Sequence, residues 1–114
     1  MNHYHMWCNL RDGRKDLEFA AAVKTYLDYL KSQGKIEGWS LQRRKFGFGP
    51  RELGEFHIVV MARDLAQLDE AFSVVATRTG EVERLHAPVY AMAADFTAAL
   101  YRDFPDPQRG TPAQ

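Results

Sequence analysis

Apolar and polar positions divide the chain into short units of distinct period. Residues 3–10 alternate, with Tyr4, Met6, Cys8 and Leu10 on one side and His3, His5, Trp7 and Asn9 on the other, the period-two signature of a strand. After Asp12-Gly13, Leu17, Phe19, Ala20, Val23, Tyr26, Leu27 and Leu30 recur at helical spacing up to Gly34, a residue suited to a left-handed helix end. Ile36 to Phe48 mixes parities: Trp39 and Leu41 share one, Phe46 and Phe48 the other. That predicts a strand with a bulge or bend near Arg43-Arg44-Lys45. Gly47-Phe48-Gly49-Pro50 and Gly54 close it in a turn, and Phe56 to Ala62 follows as a strand apolar on both faces, so these two strands form a hairpin.

Asp64-Leu-Ala-Gln67 has capping-box spacing, and Leu65, Leu68, Phe72, Val75 and Thr79 give the stripe of a second helix ending before Gly80. Val82, Leu85, Val89 and Met92 keep helical spacing, but Pro88 interrupts them and predicts a short, broken third helix. Asp95 to Phe104 fits a helix or a strand by local pattern. Topology favours the strand, because a fourth one completes two strand-helix-strand halves and without it three strands would leave an open edge. The expected fold is therefore α+β and ferredoxin-like, β-α-β-β-α-β, with a four-stranded antiparallel sheet and a short extra helix before the last strand. One domain over residues 1–106 and a flexible tail over 107–114, with Pro107, Gly110 and Pro112, complete the expectation.

In this fold both helices cover one sheet face. The other would present Trp7, Val59, Met61, Ala99 and Tyr101, more apolar surface than a soluble monomer normally leaves in water. A second copy is the simplest cover, which predicts a homodimer.

Composition narrows the partners. The 114 residues carry 15 Lys+Arg against 15 Asp+Glu, so no net field attracts nucleic acid or an anionic membrane, and neither is expected as a partner. The opening residues lack a basic and apolar leader pattern, no apolar run reaches the roughly 18 residues of a membrane span, and Cys8 alone forbids an intramolecular disulfide. These features predict a cytoplasmic protein. Gly47-x-Gly49 lacks the third glycine and following helix of a dinucleotide fingerprint, and no phosphate-loop run occurs, so no cofactor is expected.

The element order, the apolar second sheet face and the extra helix resemble the dimeric alpha-beta barrel superfamily with ferredoxin-like subunits. The closing run Ala99-Leu-Tyr-Arg-Asp-Phe-Pro-Asp106, with the histidine-rich first strand, is similar to a small bacterial family of unknown function. The resemblance covers about residues 2–106 and rests on pattern rather than on a catalytic motif. It implies a barrel-like dimer. The superfamily includes cofactor-independent and haem-degrading monooxygenases, other haem enzymes, an isomerase and stress-response proteins, so the resemblance selects no single chemistry. Its haem-degrading members use Asn, Trp and His; Asn9, Trp7 or Trp39, and His86 match in type only, and His86 beside Ala87-Pro88 reads more simply as a helix cap or a solvated residue.

The candidate chemistry is a small-molecule pocket between sheet and helices. It would be lined by His5, Trp7, Asn9, Trp39, His57 and Tyr101, with His3 and Met61 extending the ligand-binding set. His5 or His57 has the acidity of a general base near neutral pH, and Tyr101 could polarise a developing oxyanion, as a cofactor-independent monooxygenase or isomerase acting on a small aromatic or polyketide-like compound requires. The bland reading makes the same aromatics interface core in a non-catalytic, stress-associated dimeric module. His3-x-His5 could chelate a metal, yet no third ligand follows from the pattern, and no metal site is assigned. Arg43-Arg44-Lys45 reads as protection of an edge strand.

Overall fold

The computed structural model describes residues 1–109. Its order is β1 (Asn2–Leu10), a 3-10 turn (Gly13–Lys15), α1 (Asp16–Ser32), β2 (Gly38–Arg43), β3 (Phe56–Ala62), α2 (Leu65–Ala76), α3 (Gly80–Met92) and β4 (Ala93–Arg102). The strands form one sheet in the order β2-β3-β1-β4 with every neighbouring pair antiparallel, the ferredoxin-like topology. Residues 110–114 of the expected tail lie outside the described residues, while 107–109 form a turn. Among the described residues no helix is long and apolar enough to cross a membrane.

The sheet is open. β2 and β4 are its two edges and do not pair with each other, which corrects the expectation of an alpha-beta barrel. The reason is geometric: in the described residues β3 and β1 separate the two edge strands, and four strands are too few to curl until those edges meet.

The core lies between the sheet and the helices. Phe19, Val23, Leu27 and Leu30 of α1 meet Phe56, Ile58 and Val60 of β3, all buried, with Phe19 and Phe56 edge to face at 5.5 Å. Leu17, part of the expected stripe, faces solvent. Gly34 takes φ +71° after α1, the left-handed turn that ends the helix. Asp64 caps α2 by accepting from the Gln67 amide at 2.8 Å, and the buried Gln67 carboxamide returns to the Arg63 amide at 2.8 Å and donates to the Gly34 carbonyl at 3.0 Å. One side chain thus fastens the start of α2 to the end of α1.

Three local expectations need correction. β2 stops at Arg43 without a bulge, and Phe46 and Phe48 stand in the following loop at 82% and 80% exposure. The loop is held from within, because the Arg44 guanidinium donates to the carbonyls of Pro50 at 2.9 Å and Leu53 at 2.5 Å. α2 ends at Ala76, so Thr79 lies outside it, and Gly80 opens α3. α3 is neither short nor broken: it runs 13 residues through Pro88, because packing of Val82, Val89 and Met92 against the core outweighs the missing hydrogen bond. β4 begins directly after it and carries a bulge between the Trp7–Thr97 and Asn9–Ala94 pairs, where Asp95 has φ +56°.

Gly54 closes the loop against β1. A Cβ there would stand 2.4 Å from the Cys8 carbonyl carbon, inside backbone, so only glycine fits.

Candidate functional site

The register of the four strands sorts the chemistry-bearing residues onto two faces. Helix-facing positions are Tyr4, Met6 and Cys8 of β1, Ile58 and Val60 of β3, and Trp39 and Leu41 of β2. The other face is built of rows across the sheet: Gly38, Met61, His3, Tyr101; then Ser40, Val59, His5, Ala99; then Gln42, His57, Trp7, Thr97.

On that open face the polar side chains converge. His5 Nδ1 and His57 Nε2 are 2.9 Å apart and hydrogen-bonded. Their ring planes lie within 14° of each other and their centroids are 5.1 Å apart, so the contact runs end to end through the nitrogens. Trp7 stacks on His57 at 4.7 Å with planes 3° apart, and Tyr101 meets His5 edge to face at 5.0 Å. His3 contacts Asp103 through Nε2 at 2.6 Å, and this bond is the main reason the Asp103 carboxyl sits below the usual carboxylate range. Burial lowers the pKa of both His5 and His57, and a neighbouring histidine lowers each further, so both rings are neutral at neutral pH. Among the described residues no group of three His, Cys, Asp or Glu side chains has the geometry to hold a metal ion.

Asn9 works as a clasp. Its Oδ1 accepts from the Glu55 amide at 2.9 Å while its Nδ2 donates to Asp95 at 3.0 Å, tying the start of β3 to the bulge in β4. Trp39 is on the opposite face from the histidines, its Nε1 donating to Asp28 of α1 at 2.8 Å. The structure therefore brings His3, His5, His57, Trp7, Met61 and Tyr101 onto one face and separates Trp39 from them. None of these residues lines the space between sheet and helices, because every one of them but Trp39 sits at the outward parity of its strand.

That space is a cavity of about 260 Å³. Its walls are Tyr4, Met6 and Cys8 from β1, Ile58 and Val60 from β3, Phe72 from α2, and apolar residues of α1, almost all carbon. Phe72, Tyr90 and Phe96 both line it and remain 46%, 43% and 59% exposed, which puts the mouth between α2, α3 and β4. Cys8 is fully covered and burial pushes its thiol up to about 11, so it is an inert part of the wall.

One end of the cavity is polar. His86 of α3 stacks on Tyr26 of α1 at 4.8 Å and meets Tyr90 edge to face at 4.9 Å. Its Nδ1 is buried without a hydrogen-bond partner, and so is Glu83 Oε2 one turn earlier. Glu83 Oε1 accepts from the Tyr90 hydroxyl at 3.0 Å, and the Arg78 guanidinium lies over the Tyr90 ring. Burial, then the Arg78 charge, lowers the pKa of His86 and keeps it neutral, while burial and the Glu83 charge push Tyr26 up to about 12 and keep it protonated. The sequence reading places Tyr26 only in the α1 stripe, takes His86 as a helix cap or a solvated residue, and does not single out Tyr90. The one signal is the 83, 86, 90 spacing, which puts Glu, His and Tyr on a single helix face.

Comparison with curated proteins found no match. Solved structures share the fold. SnoaB, a cofactor-independent oxygenase from Streptomyces nogalater, matches with a TM-score of 0.66 at 9% identity, over 92% of this chain and 97% of that one. A protein from Arabidopsis thaliana gives 0.70 at 9% identity, over 90% and 95%. A dimeric protein of unknown function and ferredoxin-like fold from Bacteroides fragilis gives 0.60 at 13% identity, also over 90% and 95%. At these identities the likeness is one of fold. The family assignment is firmer, because all of residues 1–114 match one family, and the chain belongs to that family of unknown function, DUF6614.

Proposed function

We propose that the chain binds a small aromatic or polyketide-like compound in the cavity between helices and sheet and acts on it as a cofactor-independent monooxygenase or isomerase. The observation that carries this reading is the buried, unpartnered Nδ1 of a neutral His86 on the wall of an otherwise apolar cavity. An isolated polar atom there costs about 1–3 kcal/mol unless something pairs with it, and a ligand with one polar edge would supply the partner once the ring turns toward the cavity. The volume lies just below the roughly 300–1,000 Å³ usual for ligand pockets, which fits a compound of one or two rings.

In this reading His86 takes a proton from an activated C–H of the substrate, and the protonated Tyr26 hydroxyl stabilises the resulting enolate oxygen. Returning the proton elsewhere on the molecule is an isomerisation. If dioxygen enters, the carbanion supplies the electrons: a CH2 group and O2 give a carbonyl and water, with no other oxidant. The oxygenase activity named for SnoaB supports this branch.

The reading includes a homodimer in which a second copy covers the open sheet face, supported by the outward-facing Trp7, Val59, Met61 and Tyr101, over which no other element of the chain packs, and by the dimeric protein of like fold from Bacteroides fragilis. His5, His57 and Tyr101 then belong to the subunit contact rather than to the reacting group. The test is thermal-shift screening of one- and two-ring hydroxyaromatics, with oxygen uptake measured on each binder. Expected is stabilisation by at least one compound, lost in Ala71→Trp, which fills the cavity; stabilisation that survives Ala71→Trp would place the ligand elsewhere. No stabilisation by any compound would leave the non-catalytic dimeric module.

A further inference from the structure

We infer that the His5–His57 pair makes the contact between two copies of this chain acid-labile. The inference rests on the homodimer reading above. With the two ring nitrogens end to end at 2.9 Å, there is room for one hydrogen between them. In the neutral pair one ring donates and the other accepts. A first added proton goes to a far nitrogen and leaves a cation on the face; a second would set N–H against N–H and break the contact.

Among the described residues no carboxylate is hydrogen-bonded or ion-paired to His5 or His57, so the cation has no counter-ion in contact with it. From β1, His3 occupies the Asp103 carboxylate, which also lies 3.5 Å from the N-terminal amine. From β4, Tyr101 meets His5 by its ring edge. β2 contributes uncharged Ser40 and Gln42, and β3 adds Val59 and Met61. Beyond Trp7, Asp95 is bonded by Asn9, and Glu55 by Arg43. Covering this face with a second copy removes the water that would solvate the charge, so association excludes the proton.

The direction follows from linkage. Both rings already have pKa values below 6.5, the ordinary histidine value, in the single chain. Contact strength is therefore fully present above that value and is lost as pH falls through the lowered range. Two-fold symmetry doubles the effect: one excluded proton per copy weakens the dissociation constant by up to about 100-fold per pH unit within the window.

Sedimentation equilibrium of the full chain at about pH 7.5 and about pH 5 tests this, with His57→Gln and His5→Gln alongside. For the wild type the dissociation constant should rise at least about tenfold at the lower pH, and for either variant by less than about threefold. A wild type that is monomeric at both values overturns the homodimer and this inference together. Equal dimer strength at both values overturns only the acid-lability, and a variant that weakens as the wild type does overturns the assignment to the pair. Should the variants fail to fold, ring-nitrogen NMR of the wild type decides: the midpoint of proton uptake should lie lower in concentrated than in dilute protein, and identical midpoints overturn the inference.

Discussion

The two faces of the sheet use the same kinds of side chain to opposite ends. On the open face, each imidazole has one nitrogen paired with a neighbour, His5 with His57 and His3 with Asp103, while Trp7 and Tyr101 pack against the His5–His57 pair. On the helix face, a single imidazole is buried with one nitrogen unsatisfied, at the end of a carbon-walled cavity. A nitrogen that is paired or reached by water has its demand met, whereas one buried without a partner leaves capacity for a ligand. The number of histidines on a face is thus a poorer guide to chemistry than what their nitrogens lack.

The sharpest way to break this comparison is to remove one imidazole from each face. His86→Ala should lower turnover of any identified substrate by about 10²–10⁴-fold, with His57→Ala changing it less than about threefold at neutral pH. Steady-state kinetics on the two variants checks this, and equal losses would erase the distinction. With wild-type protein the rate should stay level through neutral pH and fall only as pH drops below 6.5, since His86 must be neutral to act and its pKa is lowered.

A smaller effect is expected where the two faces share a wall. Gly54→Ala drives a methyl into the Cys8 backbone and should cost about 2–3 kcal/mol in urea unfolding, displacing β1 and disturbing both faces together. Loss of the ligand site without loss of the dimer in this variant would show that β1 does not couple them. Smallest is Asp64→Ala, which deletes the α2 cap on the helix side alone. About 1 kcal/mol of stability should go, with the dimer unchanged, as read by paired unfolding and sedimentation runs.

How far the sequence could be read depends on which physical signal each residue carries. β1, α1 and β3 repeat at clean periods of two or 3.6, and Gly34 and Asp64 mark ends with conformations or bonds few other residues supply. Phe46 and Phe48 misled because apolarity is not burial: both stand in a loop shaped by Arg44. Pro88 misled because the cost of one lost hydrogen bond is local, while the packing that offsets it comes from residues far away in sequence. The open face was legible from period two alone, since alternation decides it. Trp39 was not, its strand lacking a single parity, and neither was the cavity, a space bounded by pieces of six elements that no single stretch encodes.

The seam at Met92–Ala93 gives α3 and β4 a mechanical relation. The helix becomes the strand with no intervening residue, and the Arg11 amide grips the Met92 carbonyl at 2.9 Å, so the two are arms of one bent lever. Each arm supplies a wall of the cavity, Tyr90 from the helix and Phe96 from the strand. The extra residue at Asp95 is a bulge near the root of the strand arm, and the Asn9 amide fastens it to β1, so the lever is anchored to the first strand on both sides of its bend.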